Sequence, residues 1–143
     1  MNQEEKFLLL KELSARLPYG VFVSNTVGGR NIKGYLCEVN TMYKCVLIDT
    51  DLVAHNSEDC EFSPVEDVRP YLRPMSSMTE NEEQEFRRLL KTNVIYGKYN
   101  GFVAKLTVDE INWLHSHYFD YNGLIDMNLA IEVTKENNPY EDN

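Results

Sequence analysis

Residues 1–19 carry hydrophobic side chains at helical spacing. One stripe of a 3.6-residue wheel contains Phe7, Leu10, Leu13 and Leu17. Glu4 and Glu5 come early, where the positive end of a helix dipole favours acidic side chains. Pro18 and Gly20 then interrupt the pattern. We therefore predict an amphipathic helix within this segment.

Residues 20–62 show short apolar runs separated by turn residues. The runs "NIKGYLCEV" and "MYKCVLID" predict two strands joined as a hairpin at Asn40-Thr41, and "GVFVS" predicts a strand before them. The stretch "CVLI" is apolar on both faces, which is typical of a central strand. Another short strand is predicted near Cys60–Phe62. Short strands with tight, Gly-bearing turns favour a small, bent, barrel-like antiparallel sheet, although an open sheet covered by helices has similar spacing.

Three S/T-x-x-E patterns follow, beginning at Ser63, Thr79 and Thr107. Each is a capping box, in which a hydroxyl and a carboxylate satisfy free amides at a helix start. Two prolines soon after the first box imply that its helix is short. We expect residues 63–135 to be mainly helical, and the polar residues 136–143 to form a frayed tail.

These segments together predict a single α+β domain over residues 1–135. It has an N-terminal helix (1–19), a small bent antiparallel sheet (20–62) and C-terminal helices packed against that sheet (63–135). A chain of 143 residues with 43% hydrophobic and 26% charged residues is typical of one globular domain.

The longest apolar run near the N-terminus, Phe7–Leu10, is far shorter than a membrane span, and Glu4 and Glu5 precede it where a signal peptide would carry positive charge. Three cysteines at wide spacing, without a CxxC pair, favour reduced thiols over disulfides or zinc. The sequence therefore predicts a cytoplasmic protein that is not embedded in a membrane.

The net charge of −9 is concentrated in the middle of the chain, because residues 49–85 carry 11 Asp or Glu and 2 Lys or Arg. Phosphate backbones repel such a chain, so direct nucleic-acid binding is not expected. A solvated acidic surface is the simplest interpretation. The acidic residues 49–67 and 80–85 could alternatively imitate a nucleic acid towards a basic partner.

Two histidines and an aspartate in "WLHSHYFDYNGLI" are candidates for chemistry. His115, His117 and Asp120 would suit a metal site if the helix ended before His115. On a helix, however, the two rings lie roughly 160° apart. We then expect a partly buried, hydrogen-bonded His115 and an outward face containing Trp113, His117, Asp120 and, at the helix exit, Tyr121. This face is the predicted partner-binding surface.

Other catalytic patterns are absent from the sequence. There is no GxSxG, and "VGGR" lacks the Lys-Ser/Thr of a P-loop. Cys60 and His55 are the only cysteine and histidine close together in sequence, which is weak support for a catalytic pair. We expect no cofactor. Nine Tyr and six Phe suit either closure of a small core or an interface.

Three segments carry a family resemblance: "ARLPYGV" (Ala15–Val21), "VRPYLRPMSSMTENE" (Val68–Glu82) and "SHYFDYNGLIDMNLA" (Ser116–Ala130). The chain resembles a group of short uncharacterised proteins from gut bacteria of the Bacteroides type and from their phages and mobile elements. It departs from that group at Asn122, where the group has arginine, and at Asn128, where it has glycine. The resemblance implies a cytoplasmic, phage-related accessory protein and implies no reaction.

The function expected from the sequence is that of a small non-enzymatic accessory module that binds a protein partner. Two alternatives remain open. One is a metal-dependent hydrolase that uses His115, His117 and Asp120, and the other is an acidic regulator of a nucleic-acid enzyme.

Overall fold

The structure, a computed structural model, describes residues 1–50, 60–89 and 106–141. Its helices are α1 (Gln3–Arg16), α2 (Glu80–Leu89) and α3 (Val108–Ser116). Its strands are β1 (Phe22–Asn25), β2 (Ile32–Asn40), β3 (Cys45–Asp49), β4 (Cys60–Pro64), β5 (Arg69–Pro74), β6 (Phe119–Asp120) and β7 (Ile131–Glu132). The predicted α+β class, with a helix first and further helices after the sheet, is confirmed.

The strands form one sheet in the order β4-β3-β2-β1-β5-β6, and β7 also pairs with β5. The predicted hairpin is confirmed as β2 and β3, which pair antiparallel from Asn40↔Cys45 to Tyr35↔Asp49. The predicted barrel-like antiparallel sheet is wrong in two respects. The sheet is open, and β6 and β7 run parallel to β5. The parallel pairing of β5 and β6 follows from the order of the elements. Because α2 and α3 come between these two strands in the chain, β6 can run in the same direction as β5.

Capping boxes begin two of the helices where the sequence predicts them. At α2 the Glu82 amide donates to the Thr79 hydroxyl at 3.2 Å, and the Thr79 amide donates to Glu82 Oε1 at 2.9 Å. The same reciprocal pair joins Thr107 and Glu110 at the start of α3. A further box at Asn2, which the S/T-x-x-E pattern does not include, begins α1.

The capping box predicted at Ser63 is wrong. Ser63 lies in β4, and its hydroxyl accepts a hydrogen bond from Asn25 Nδ2 at 2.9 Å. The short 3-10 turn that follows, Val65–Asp67, has no side-chain cap. The next strand, β5, contains Pro70 and Pro74. Proline has no amide hydrogen to donate, so β5 pairs through other backbone groups, such as the amide of Arg73.

The part of the chain predicted to be mainly helical is therefore mixed, since β5, β6 and β7 lie within residues 63–135. His55, of the weakly supported Cys60–His55 pair, and residues 51–59 of the acidic segment 49–67 lie outside the described ranges. No helix in the described ranges is long and apolar enough to cross a membrane.

α1 packs on the sheet through a face slightly different from the predicted stripe. Phe7 is 68% exposed, whereas Leu9 and Leu13 are fully buried. The main core joins this helix to the sheet and to the chain after β6; its buried members include Leu9, Leu10, Leu13, Val23, Leu36, Val46, Ile48, Leu72, Leu124 and Leu129. A second, smaller core joins α2, α3 and β6 through Phe86, Trp113, Leu114 and Phe119.

The C-terminal segment is not a frayed tail as far as Tyr140. The Tyr140 hydroxyl accepts from the amide of Phe22 at 2.9 Å and donates to the carbonyl of Tyr71 at 2.7 Å. Its ring stacks on Tyr118 with 3.6 Å between centroids. A polar composition predicted fraying, but this single aromatic side chain ties residues 136–141 to β1, β5 and the end of α3.

Candidate functional site

A groove of about 670 Å³ opens where the end of α3 meets the connection between β5 and α2. Residues 133–141 close its third side. The lining is mixed in character: it comprises Arg73, Ser77, Thr79, Glu82, Ser116, His117, Tyr118, Val133, Thr134, Lys135, Asn138, Tyr140 and Glu141. This volume is within the roughly 300–1,000 Å³ range of ligand-binding clefts.

His117 is the C-cap of α3, and its ring orientation is set by Trp113. The imidazole stacks on the indole with centroids 4.0 Å apart, and Nδ1 lies 2.9 Å from the Trp113 carbonyl oxygen. A carbonyl oxygen only accepts, so Nδ1 carries the hydrogen of this bond. The predicted placement of Trp113 and His117 on the same face is confirmed.

Arg73 and Glu82 form a bidentate ion pair in the groove wall. The distances are 2.8 Å from Nη1 to Oε2 and 2.7 Å from Nη2 to Oε1. The guanidinium also lies over the Phe119 ring, 4.2 Å from its centroid. Its hydrogen bond to Glu82 lowers the pKa of that carboxyl to about 2, against the opposing effect of burial.

Tyr118 stands in a left-handed backbone conformation, with φ of 64°. It is the residue after the C-cap of α3, a position that usually holds glycine because a side chain is strained there. Its hydroxyl donates to the carbonyl of Tyr19 at 3.1 Å, and its ring stacks on Tyr140. Burial raises the pKa of Tyr118 and of Tyr140. Packing therefore outweighs backbone preference at this wall of the groove.

His115 lies away from the groove in a buried polar cluster. Its Nε2 is 2.6 Å from the hydroxyl of Tyr121, which confirms the predicted hydrogen-bonded His115. Burial, and secondarily the charge of Arg16, lowers its pKa to about 4. Burial likewise raises the pKa of Tyr121 to about 12. Arg16, which is 1% exposed, is held by Glu12 Oε2 at 3.0 Å and by the Phe119 carbonyl at 2.8 Å.

Asp120 does not lie on an outward face, contrary to the prediction. Its carboxylate accepts from the amides of Leu124 at 2.8 Å and Ile125 at 2.9 Å, so it organises the turn after β6. His115, His117 and Asp120 thus bind three separate sets of partners. Within the described ranges, no three His, Cys, Asp or Glu side chains form a group that could hold a metal ion.

The predicted partner-binding set is therefore divided. Trp113 is 9% exposed and donates from Nε1 to Glu85 at 2.7 Å. Its fixed indole packs against the inner face of the His117 ring. Tyr121 belongs to the His115 cluster. His117 is the one member of the set in the groove lining.

The remaining groove residues were not identified from the sequence as a site. The Thr79 box places Glu82 at a helix start, but no periodicity connects Glu82 to Arg73, which lies in a strand that the sequence did not predict. Tyr140 lies in a segment whose composition predicts a tail.

No protein-family model matches this chain, and no curated protein or solved structure is significantly similar to it.

Proposed function

We propose that this chain is a small non-enzymatic accessory module of the cytoplasm, and that it binds a protein partner in the groove beside His117. The proposal is supported by the size and mixed lining of the groove, which combines the rings of Tyr118 and Tyr140 with polar side chains. Aromatic rings with adaptable polar neighbours are typical of protein-binding surfaces.

The observation that carries the proposal is that the ion pair in the groove wall is already satisfied within the protein. Arg73 and Glu82 hold each other through two hydrogen bonds. Such a pair maintains the shape of the wall but has no free proton acceptor or donor for chemistry. A pre-formed groove whose wall is held by such a pair suits recognition better than catalysis.

Ser116 and His117 require separate consideration because Ser116 Oγ lies 3.1 Å from His117 Nδ1. The hydroxyl donates to the Trp113 carbonyl at 2.8 Å, and Nδ1–H donates to the same oxygen. Nδ1 therefore has no lone pair with which to take the serine proton. The two side chains form a helix cap instead of a nucleophile and its base.

The strained backbone of Tyr118 is further support. A left-handed conformation costs a non-glycine residue about 1–2 kcal/mol, and such strain concentrates at binding and active sites. The ring of this residue forms part of the groove lining.

Site-specific photocrosslinking tests the proposal. We would introduce p-benzoylphenylalanine in place of Thr134, an exposed lining residue, in cells that carry the gene. The matched control carries it in place of Lys11, which is exposed on α1 and outside the groove. We expect one discrete crosslinked protein with position 134, and its loss when Tyr118 is also replaced by Ala. The same products from both positions, or no crosslinked protein from 134, would contradict the proposal.

A further inference from the structure

The turn at residues 134–137 holds itself together. The amide and the hydroxyl of Thr134 both donate to Asn137 Oδ1, at 2.6 and 2.7 Å. The Asn137 amide donates to the Thr134 hydroxyl at 3.3 Å, and Asn137 Nδ2 donates to the carbonyl of Glu132 at 3.2 Å. All of these bonds join residues that are close in sequence, so the turn does not need the rest of the protein to keep its shape.

Residues 134–141, here called the strap, are attached to the rest of the protein at two ends. At one end the Val133 amide donates to β5 at 2.8 Å. At the other, Tyr140 places its hydroxyl between β1 and β5 and stacks its ring at the end of α3. Among the described residues, the strap's only other hydrogen bond to a distant part of the chain is the long one of 3.5 Å from the Tyr35 hydroxyl to the Pro139 carbonyl.

The exposure of the strap agrees with this sparse attachment. Its first four residues, 134–137, are all exposed, whereas Val133 before them is buried and Tyr140 is half-buried. Segments with few buried contacts open at a lower free-energy cost than the sheet or the helices of the same protein. We infer that the strap is a movable wall of the groove, which swings as one unit on a hinge at Val133 and is latched by Tyr140.

The two positions of the strap differ in what they do to the groove. Latched, the strap closes the third side, and the Tyr140 ring supports Tyr118 in its left-handed conformation. Released, it leaves that side open and withdraws this support, so access to the groove depends on the latch. The inference goes beyond the proposed function, because it assigns the protein a gate that operates whichever ligand the groove receives.

Native-state hydrogen exchange of the full chain tests the inference through two amides. The Phe22 amide is protected by the Tyr140 hydroxyl, whereas the Leu36 amide donates to the Val21 carbonyl at 2.9 Å where β1 meets β2. We expect the protection factor of Phe22 to be at least roughly tenfold below that of Leu36. Its exchange should also be nearly independent of low urea concentrations, because release of the strap exposes little surface. Equal protection of the two amides, with the same urea dependence, would mean that the strap opens only when the protein unfolds and would overturn the inference.

Asn137→Ala tests whether the strap moves as a preformed unit. The substitution removes side-chain bonds of the turn, but it lies outside the groove lining and leaves Tyr140 unchanged. A released strap without that turn samples more conformations, so the latch closes less often. The protection factor of Phe22 should therefore fall about fivefold, and those of Leu36 and Val133 should change less than about twofold.

Glu136→Ala is the matched control, since Glu136 is exposed in the same turn and its side chain forms none of the turn's hydrogen bonds. We expect it to change the protection of Phe22 less than about twofold. Equal effects of the two substitutions, or loss of Val133 protection together with that of Phe22, would contradict a unit hinged at Val133. No partner takes part in these measurements, so their failure would not affect the crosslinking test of the proposed function.

Discussion

The carboxylate of Glu82 serves two partners at once: it holds Arg73 through two hydrogen bonds of 2.7 and 2.8 Å and caps α2 by accepting from the Thr79 amide at 2.9 Å. One side chain therefore connects the end of β5 to the beginning of α2. Because the pair is only about one-fifth exposed, water screens it less than it would a surface ion pair. This connection determines where one wall of the groove stands.

Replacing Glu82 with Gln should destabilise the protein by about 1–3 kcal/mol, because a charge-assisted bidentate pair is lost and Arg73 remains partly buried. Urea unfolding at pH 7 measures the change. Glu83→Gln is the matched control, since Glu83 pairs with Arg87 on the exposed face of the same helix; we expect a change below about 0.5 kcal/mol. Equal effects of the two substitutions would contradict the assigned role of Glu82.

The same pair predicts a loss of stability in acid. The pKa of Glu82 is lowered to about 2 from an ordinary value of 4.5. A lowered carboxyl pKa stabilises the folded state above the unfolded pKa, and this contribution disappears as the pH falls from about 4.5 towards 2. Glu82→Gln should therefore reduce the slope of unfolding free energy against pH in that interval. An unchanged slope would indicate that the carboxyl titrates normally.

His115 predicts a separate dependence at higher pH. Its pKa is lowered to about 4 from 6.5, chiefly by burial, so the folded state binds its proton less readily than the unfolded chain. Stability should therefore fall as the pH decreases from about 6.5 towards 4, by roughly 2 kcal/mol at pH 5 relative to pH 8 for this group alone. The His115→Phe variant should lack that component. Comparison of both proteins by urea unfolding across pH 5–8 measures it, and parallel curves would refute it.

Two left-handed residues should respond to glycine in opposite directions. Lys44, with φ of 54°, lies exposed in the β2–β3 turn, so Lys44→Gly should stabilise the protein by about 0.5 kcal/mol through relief of strain. Tyr118→Gly relieves the same strain but removes the stack on Tyr140 and the hydrogen bond to Tyr19. We expect a net loss of about 1–2 kcal/mol. Thermal unfolding of both variants tests this, and stabilisation by Tyr118→Gly would show that packing does not outweigh strain.

Removal of the Tyr140 hydroxyl should loosen the C-terminal segment. Tyr140→Phe leaves the Phe22 amide and the Tyr71 carbonyl without their partner, which should cost about 1–3 kcal/mol. Amide hydrogen exchange at Phe22 should accelerate accordingly. Tyr43→Phe serves as the control because Tyr43 is 74% exposed, and its exchange pattern should match that of the unmodified chain. Unchanged protection of Phe22 in Tyr140→Phe would mean that the hydroxyl does not hold the segment.

Local patterns predicted those features that depend on neighbours in sequence. The boxes at Thr79 and Thr107 join residues three apart, and the β2–β3 hairpin closes through one turn. The opposed orientations of His115 and His117 follow from the same helix. The box at Ser63 failed because its hydroxyl is used by Asn25, 38 residues earlier in the chain. A capping pattern in the sequence does not form a cap when a distant residue forms a hydrogen bond with the same hydroxyl.

By itself, the sequence determined the α+β class, the first helix, the hairpin, two capped helices and the separation of the two histidines. Short hydrogen-bonded units and periodic burial are encoded within a few residues. Only the tertiary structure decided that the sheet stays open with parallel strands beside β5, and that three remote segments enclose a groove. Its decisive contact joins Tyr140 to Phe22 across 118 residues. Such a contact leaves no periodic trace, because it depends on how the whole chain packs.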